Sequence, residues 1–119
     1  VVKSDLTPTK EAYLRRVIIE SPYRGETERN LIYARRALKD SIDRGESPFA
    51  GHLLYTQVLD DNDSEERALG MALSLVWSHI SSAAIFYCDY GTTSGMGEAM
   101  KAYVGFRLPC EIRYIGKNP

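Results

Sequence analysis

Three short stretches of the chain carry side chains that a hydrophobic core has no use for. Ser21-Pro22-Tyr23-Arg24-Gly25 puts a phenol and a guanidinium on a turn, Gly51-His52 adds an imidazole, and Asp89 to Gly97 joins a carboxylate to a glycine-rich segment. A planar arginine fork suits a phosphate or a heterocyclic base. A histidine suits a polar contact or protonation of a leaving group, and a carboxylate suits acid-base or nucleophilic work. Ser94-Gly95-Met96-Gly97 opens a predicted helix, where free N–H groups and the positive end of the dipole attract an anion and glycines let a ligand approach the main chain. Asn30 is expected one turn from the same edge. The turn lacks the Gly-Lys-Ser or Gly-Lys-Thr ending of a triphosphatase loop, and it does not follow the first strand as a dinucleotide fingerprint would. Each residue also has a plainer reading: Asp89 as a loop cap, Arg24 as a surface arginine, His52 as a structural hydrogen-bonder, the glycines as a tight connection.

The elements that must position these residues alternate. Arg16 to Glu20 is a β-branched run closed by a Pro-Gly turn, which predicts a buried strand. Glu26 to Arg44 places Leu31, Ala34, Leu38 and Ile42 on one helical face, with Thr27 as N-cap and Gly45 as stop. Ser47 to Gly51 is a second strand, and Leu53 to Leu59 a brief apolar stretch. After the acidic run Asp60-Asp61-Asn62-Asp63, a helix capped by Ser64 is expected to bury Leu69, Ala72, Leu73, Val76 and Ile80, with Trp77 beside that stripe. Asp60, Asp61 and Asp63 lack the glycine and closing glutamate of a calcium loop and read as a solvated or partner-facing loop. Ala83 to Cys88 is the third strand, Met96 to Phe106 the third helix, and Glu111 to Ile115 the last strand. This order predicts an α/β fold: a single doubly wound, Rossmann-like or flavodoxin-like domain over residues 16–119, with a mainly parallel sheet of about four to five strands and helices on both faces. Residues 1–15 read as an N-terminal arm, with a short helix over Thr7 to Tyr13. In such a sheet ligands bind beyond the carboxyl ends of the strands, where all three polar stretches fall.

Lysine plus arginine number 15 against 16 aspartates and glutamates, a net charge of -1. Proteins that track nucleic-acid backbone usually carry a basic excess, so polymeric DNA or RNA is excluded as the expected partner, while a small anion is not. Cys88 and Cys110 lack zinc spacing and are too few for a disulfide scaffold; they read as free thiols of a reducing compartment. No stretch approaches the ~20 apolar residues of a membrane span and no leader opens the chain, so the expected location is cytoplasmic, away from membranes.

Ser-Pro-Tyr-Arg-Gly after the first strand, Asp-x-Gly after the third and Ser-Gly-Met-Gly opening the next helix together resemble the nucleoside 2-deoxyribosyltransferase-like superfamily, in its branch of small nucleotide N-glycosidases. The likeness runs from Val17 to Ile115, and phage and bacterial members are similar in the Pro-Tyr-Arg-Gly and His-Leu-Leu-Tyr-Thr-Gln stretches. The resemblance implies hydrolysis or transfer at the N-glycosidic bond of a small nucleotide, such as a nucleoside 5′-monophosphate or a cyclic nucleotide signal, with no metal or other cofactor. It implies substrate contacts from Ser21, Tyr23, Arg24, Gly25, Asn30, His52, Ser94, Gly95, Met96 and Gly97, and a polar role near the sugar or base for Asp89. It also implies a homodimer or larger homo-oligomer, for which Leu53 to Leu59 and the helix carrying Trp77 are the expected interface.

Members of the superfamily carry a glutamate nucleophile four positions after the glycine equivalent to Gly95, which here is Ala99. Glu98 is adjacent, but one helical residue is a rotation of ~100°, so it should point elsewhere. Three readings follow. The chain is an inactivated form that traps substrate, which the otherwise complete pocket favours; or it is a binder that sequesters a nucleotide without cleaving it; or Glu98 serves after an irregular helix start.

Overall fold

The computed structural model describes residues 14–119. Its centre is a pair of short parallel strands, β1 (Arg15–Glu20) and β3 (Ala83–Tyr87), aligned Val17 to Ala83 through Glu20 to Phe86. β2 (Glu46–Ala50) joins the outer edge of β1 and β4 (Cys110–Arg113) the outer edge of β3, so the described residues form a four-stranded, wholly parallel sheet in the order β2-β1-β3-β4. The expected class and strand number hold, with boundaries moved by one or two residues.

Strand alternation assigns the two faces. Val17, Ile19, Ala83, Ile85 and Tyr87 form one buried cluster with Tyr33 and Ala37 of α1 (Thr27–Asp43). Ile18, Ala84 and Phe86 form the other with Met96, Ala99 and Tyr103 of α3 (Ser94–Gly105), and Leu75 of α2 (Ser64–Ser78) packs against it. Burial of central strands on both faces is the rule for parallel sheets. The connection from β1 turns toward β2 and that from β3 toward β4, so the strand order reverses between them, where such folds open a ligand crevice.

Three local expectations are corrected. α1 buries Asn30, Tyr33, Ala34, Ala37 and Ser41 rather than the Leu31-Ala34-Leu38-Ile42 face, and Ile42 is exposed. The polar members tolerate burial because they are partnered: Ser41 bonds Glu46, Tyr33 bonds Asp89, and Asn30 holds the turn after β1. Glu26, not Thr27, is the α1 cap, and Asp63, not Ser64, caps α2 by accepting from the Glu65 and Glu66 amides. The stripe of α2 expected to be buried faces outward, with Leu69, Val76 and Ile80 exposed by 49%, 64% and 53%. Its inward side lines the cavity described below. Trp77 is partly exposed; its ring stacks on Phe49 and its indole N–H donates to the Tyr55 hydroxyl. The two cysteines are unlinked. The expected helix over Thr7 to Tyr13 lies outside the described residues, while Arg15, assigned to the arm, already belongs to β1.

A buried ion pair ties the edges of the sheet. The Arg113 guanidinium forks onto Glu46 with both contacts at 2.7 Å, and Ser41 donates to the same carboxylate. This pairing with Arg113 outweighs burial and holds the Glu46 carboxyl below its ordinary range. Arg113→Ala leaves that carboxylate buried without its fork, and should cost roughly 3 kcal/mol in urea unfolding. A loss below 1 kcal/mol would show that the pair does not secure the sheet.

Candidate functional site

Beyond the carboxyl end of β1 lies a cavity of about 1010 Å³, counted out to its open mouth. The turn after β1, the segment from Gly51 to Leu59, the inward side of α2 and the first three turns of α3 enclose it. Where a brief apolar stretch is expected over Leu53 to Leu59, the chain forms two 3-10 turns, Gly51–Leu53 and Tyr55–Gln57, and Gly51, expected to end the second strand, opens the first of them. Gly51 leaves room for α2 where the chain leaves β2: a Cβ there would sit 2.5 Å from the Ser74 hydroxyl, which would have to turn aside.

Six of the expected site residues line this cavity: Tyr23, Arg24, His52, Gly95, Met96 and Ala99. The rings of Tyr23 and His52 stack with centroids 5.2 Å apart and 24° between their planes, and both residues line the cavity. Burial pushes the His52 pKa down, against the pull of Asp61 and a Ser21 main-chain hydrogen bond; the ring is a neutral hydrogen-bonding group, not a standing acid. Arg24 reaches across the mouth to Asp61, its Nε 2.9 Å from the carboxylate, so Asp61 belongs to the cavity rather than to a solvated loop. Arg67 lies on the other side of Asp61 and packs over α3, its Nη2 3.3 Å from where a Gly95 Cβ would stand. It thereby sets a guanidinium beside a helix N-terminus whose Met96 amide is already taken by Thr93, the cap.

The other expected residues lie elsewhere. Asn30 is buried beneath the first turn and donates to the Tyr23 and Arg24 carbonyls, so it positions those residues without facing the cavity. Ser21 is buried, and Gly25, at φ +92°, shapes the turn. Ser94, Gly97 and Glu98 are exposed on α3, and Glu98 does not line the cavity. Asp89 accepts from the Tyr33 hydroxyl and from the Ile115 and Gly116 amides. Burial alone would raise its pKa, but these bonds outweigh it and lower it. Asp89 thus anchors the C-terminal segment, the loop-cap reading, and it too is absent from the cavity wall. His79 caps the end of α2 with its ring against Phe106.

The most consequential cavity residue is one the sequence reading passed over. Glu20, the last residue of β1, shares the face of Ile18 and lines the cavity with Ala99 and Tyr103 of α3. The Tyr103 hydroxyl donates to its Oε2 at 2.6 Å. No ion pair among the described residues includes it. Burial pushes its pKa up to about 7, against the opposing hydrogen bond from Tyr103. The signal was present: in a sheet covered on both faces, an acid in phase with Ile18 must point into the protein. Arg67 gave no such signal, since an arginine in a first helical turn ordinarily faces water. Among the described residues no group of three His, Cys, Asp or Glu side chains is arranged to hold a metal, and no helix is long and apolar enough to cross a membrane.

Residues 15–113, nearly all of the described chain, match a family model whose description is a domain of unknown function, DUF7768. The chain belongs to that family. Among solved structures it is similar to a 2-deoxyribosyltransferase from the psychrotolerant bacterium Bacillus psychrosaccharolyticus, described as a biocatalyst for nucleoside synthesis. The TM-score is 0.64 at 14% identity, over 87% of this chain and 75% of the other. No curated protein matches it. At that identity the likeness establishes a shared fold, so the DUF7768 chain has the Rossmann-like architecture of a nucleoside transferase.

Because the folded state favours the neutral Glu20 carboxyl, its contribution to stability is complete below the ordinary value of 4.5 and is lost as pH rises through about 7. Over that interval the native chain should lose up to ~3 kcal/mol that Glu20→Gln keeps. Urea melts of both proteins from pH 4.5 to 8 check this; parallel curves would rule it out.

Proposed function

We propose that this chain binds a nucleoside or nucleoside 5′-monophosphate in the cavity beyond β1, and that the cavity serves chemistry at the N-glycosidic bond, hydrolysis or transfer. The observation that carries this reading is the convergence, in one cavity at the strand-order reversal, of the stacked Tyr23–His52 pair with Arg67 over the start of α3. A stacked aromatic wall suits a base, and a guanidinium beside a helix N-terminus suits a phosphate. The fold shared with a 2-deoxyribosyltransferase supports the same class of ligand. Position 99, where the resemblance places a glutamate nucleophile, faces the cavity as alanine. A methyl group cannot bond to an anomeric carbon, so position 99 offers no nucleophile. That single fact favours a second reading, a binding protein that sequesters a nucleotide signal.

Calorimetric titration with a panel of nucleosides and their 5′-monophosphates tests the ligand class. Micromolar to millimolar binding is expected, and Arg67→Ala should weaken the monophosphates by ~10-fold while sparing the nucleosides. Failure of every panel member to bind would overturn the reading.

The outward stripe of α2 supports a second copy of the chain as partner, since Leu69, Val76 and Ile80 otherwise leave apolar area in water. Light scattering at high concentration should give a mass above 13.4 kDa; Val76→Lys should lower it, and a native monomer would refute the assembly.

A further inference from the structure

We propose that Glu20 is the nucleophile of this chain, a carboxylate presented to the anomeric carbon from β1 in place of one from α3. The proposal rests on the nucleoside reading of the cavity and deepens it. Glu20 and Ala99 line the same cavity from adjoining elements, the strand end and the helix packed on it. The small side chain at position 99 leaves the helix wall open, and the cavity retains a carboxylate on the strand wall. Tyr103 stands one helical turn beyond Ala99 and donates to Oε2; no hydrogen bond among the described residues engages Oε1. The side chain is therefore held by one oxygen, with the other available to a ligand.

Its surroundings also separate it from a carboxylate kept for structure. Glu46, Glu111, Asp40 and Asp61 are each paired with an arginine. Glu20 has no such partner among the described residues, and the apolar Ile18 and Phe86 adjoin it in the sheet. A carboxyl placed there without a cation costs stability, a cost that an activated group repays through function. Its raised pKa agrees with this placement: near neutrality a substantial share is ionised, and that share is poorly solvated.

In the first step Oε1 forms a bond to C1′ as the C1′–N bond breaks. The bonding pair leaves with the base, whose nitrogen takes a proton from water. In the second step a water oxygen bonds to C1′, the ester bond breaks with its pair returning to Glu20, and the water proton neutralises the hydroxide left by the first. The sum is nucleoside plus water giving base plus sugar. With a second base in place of water, the same intermediate gives transfer.

The test uses the full chain and the nucleosides found to bind it, with free base followed by chromatography. It also uses a 2′-deoxy-2′-fluoro nucleoside panel, in which fluorine beside C1′ slows release of a covalent sugar. The native chain should release base and, with the fluorinated panel, gain the mass of the sugar on the tryptic peptide Val17–Arg24. Glu20→Gln should bind nucleoside within ~3-fold of native yet release base at least ~100-fold more slowly. Binding without base release or adduct, or release unchanged in Glu20→Gln, overturns the role of Glu20 and leaves the nucleoside reading standing. No binding at all overturns both. The adduct is read on the native protein, so the outcome does not depend on whether the variant folds.

Discussion

The side-by-side parallel pairing of β1 and β3 governs this molecule. Both strands are covered on both faces, and both end at the same edge, where the connections part in opposite directions. Hydrogen bonding along the ladder fixes the register, and the register places Glu20 beside Phe86. Everything at the edge follows: the turn after β1, the helix after β3 and the segment after β2 meet around one space because their strands stop together. A shift of one residue in β1 would turn Glu20 toward α1 and bring Ile19 to the cavity side. The two-faced core and the position of the carboxylate are thus one constraint.

Much of this was legible in the sequence, for reasons that differ by element. Ala83 to Cys88 announces a central strand because a run of apolar residues free of charge can only be buried. The turn residues around Tyr23 and the glycines around Met96 announce the ligand edge because a core needs neither. Helix faces were harder to read. On α1, Tyr33, Asn30 and Ser41 are polar by composition but find hydrogen-bond partners outside the helix, so periodicity of apolar residues alone points to the neighbouring face. On α2 the assumption that an apolar stripe points inward failed, because this helix turns a mixed side with Arg67, Gly70 and Ser74 toward the cavity.

Asp89 and Glu20 show the same limitation from two directions. Asp89 follows the third strand, where a catalytic acid is expected, yet three donors spend its oxygens on holding the C-terminal segment. Glu20 looks like the polar end of a strand, yet its only donor among the described residues is one tyrosine. Which carboxylate is occupied depends on donors 26 to 83 positions away, and no local pattern encodes that distance. The stacking of Tyr23 on His52 is of the same kind, since it joins loops that follow different strands.

The bond between Trp77 and Tyr55 has an experimental use. Trp77 is the sole tryptophan in the chain, and its indole N–H is tied to a tyrosine that forms part of the cavity wall. Indole emission responds to its hydrogen-bonding partner and to neighbouring aromatic rings, so any ligand that shifts Tyr55 alters the environment of the single fluorophore. The molecule thus carries a built-in optical gauge of whether its cavity is filled, needing no label and no turnover.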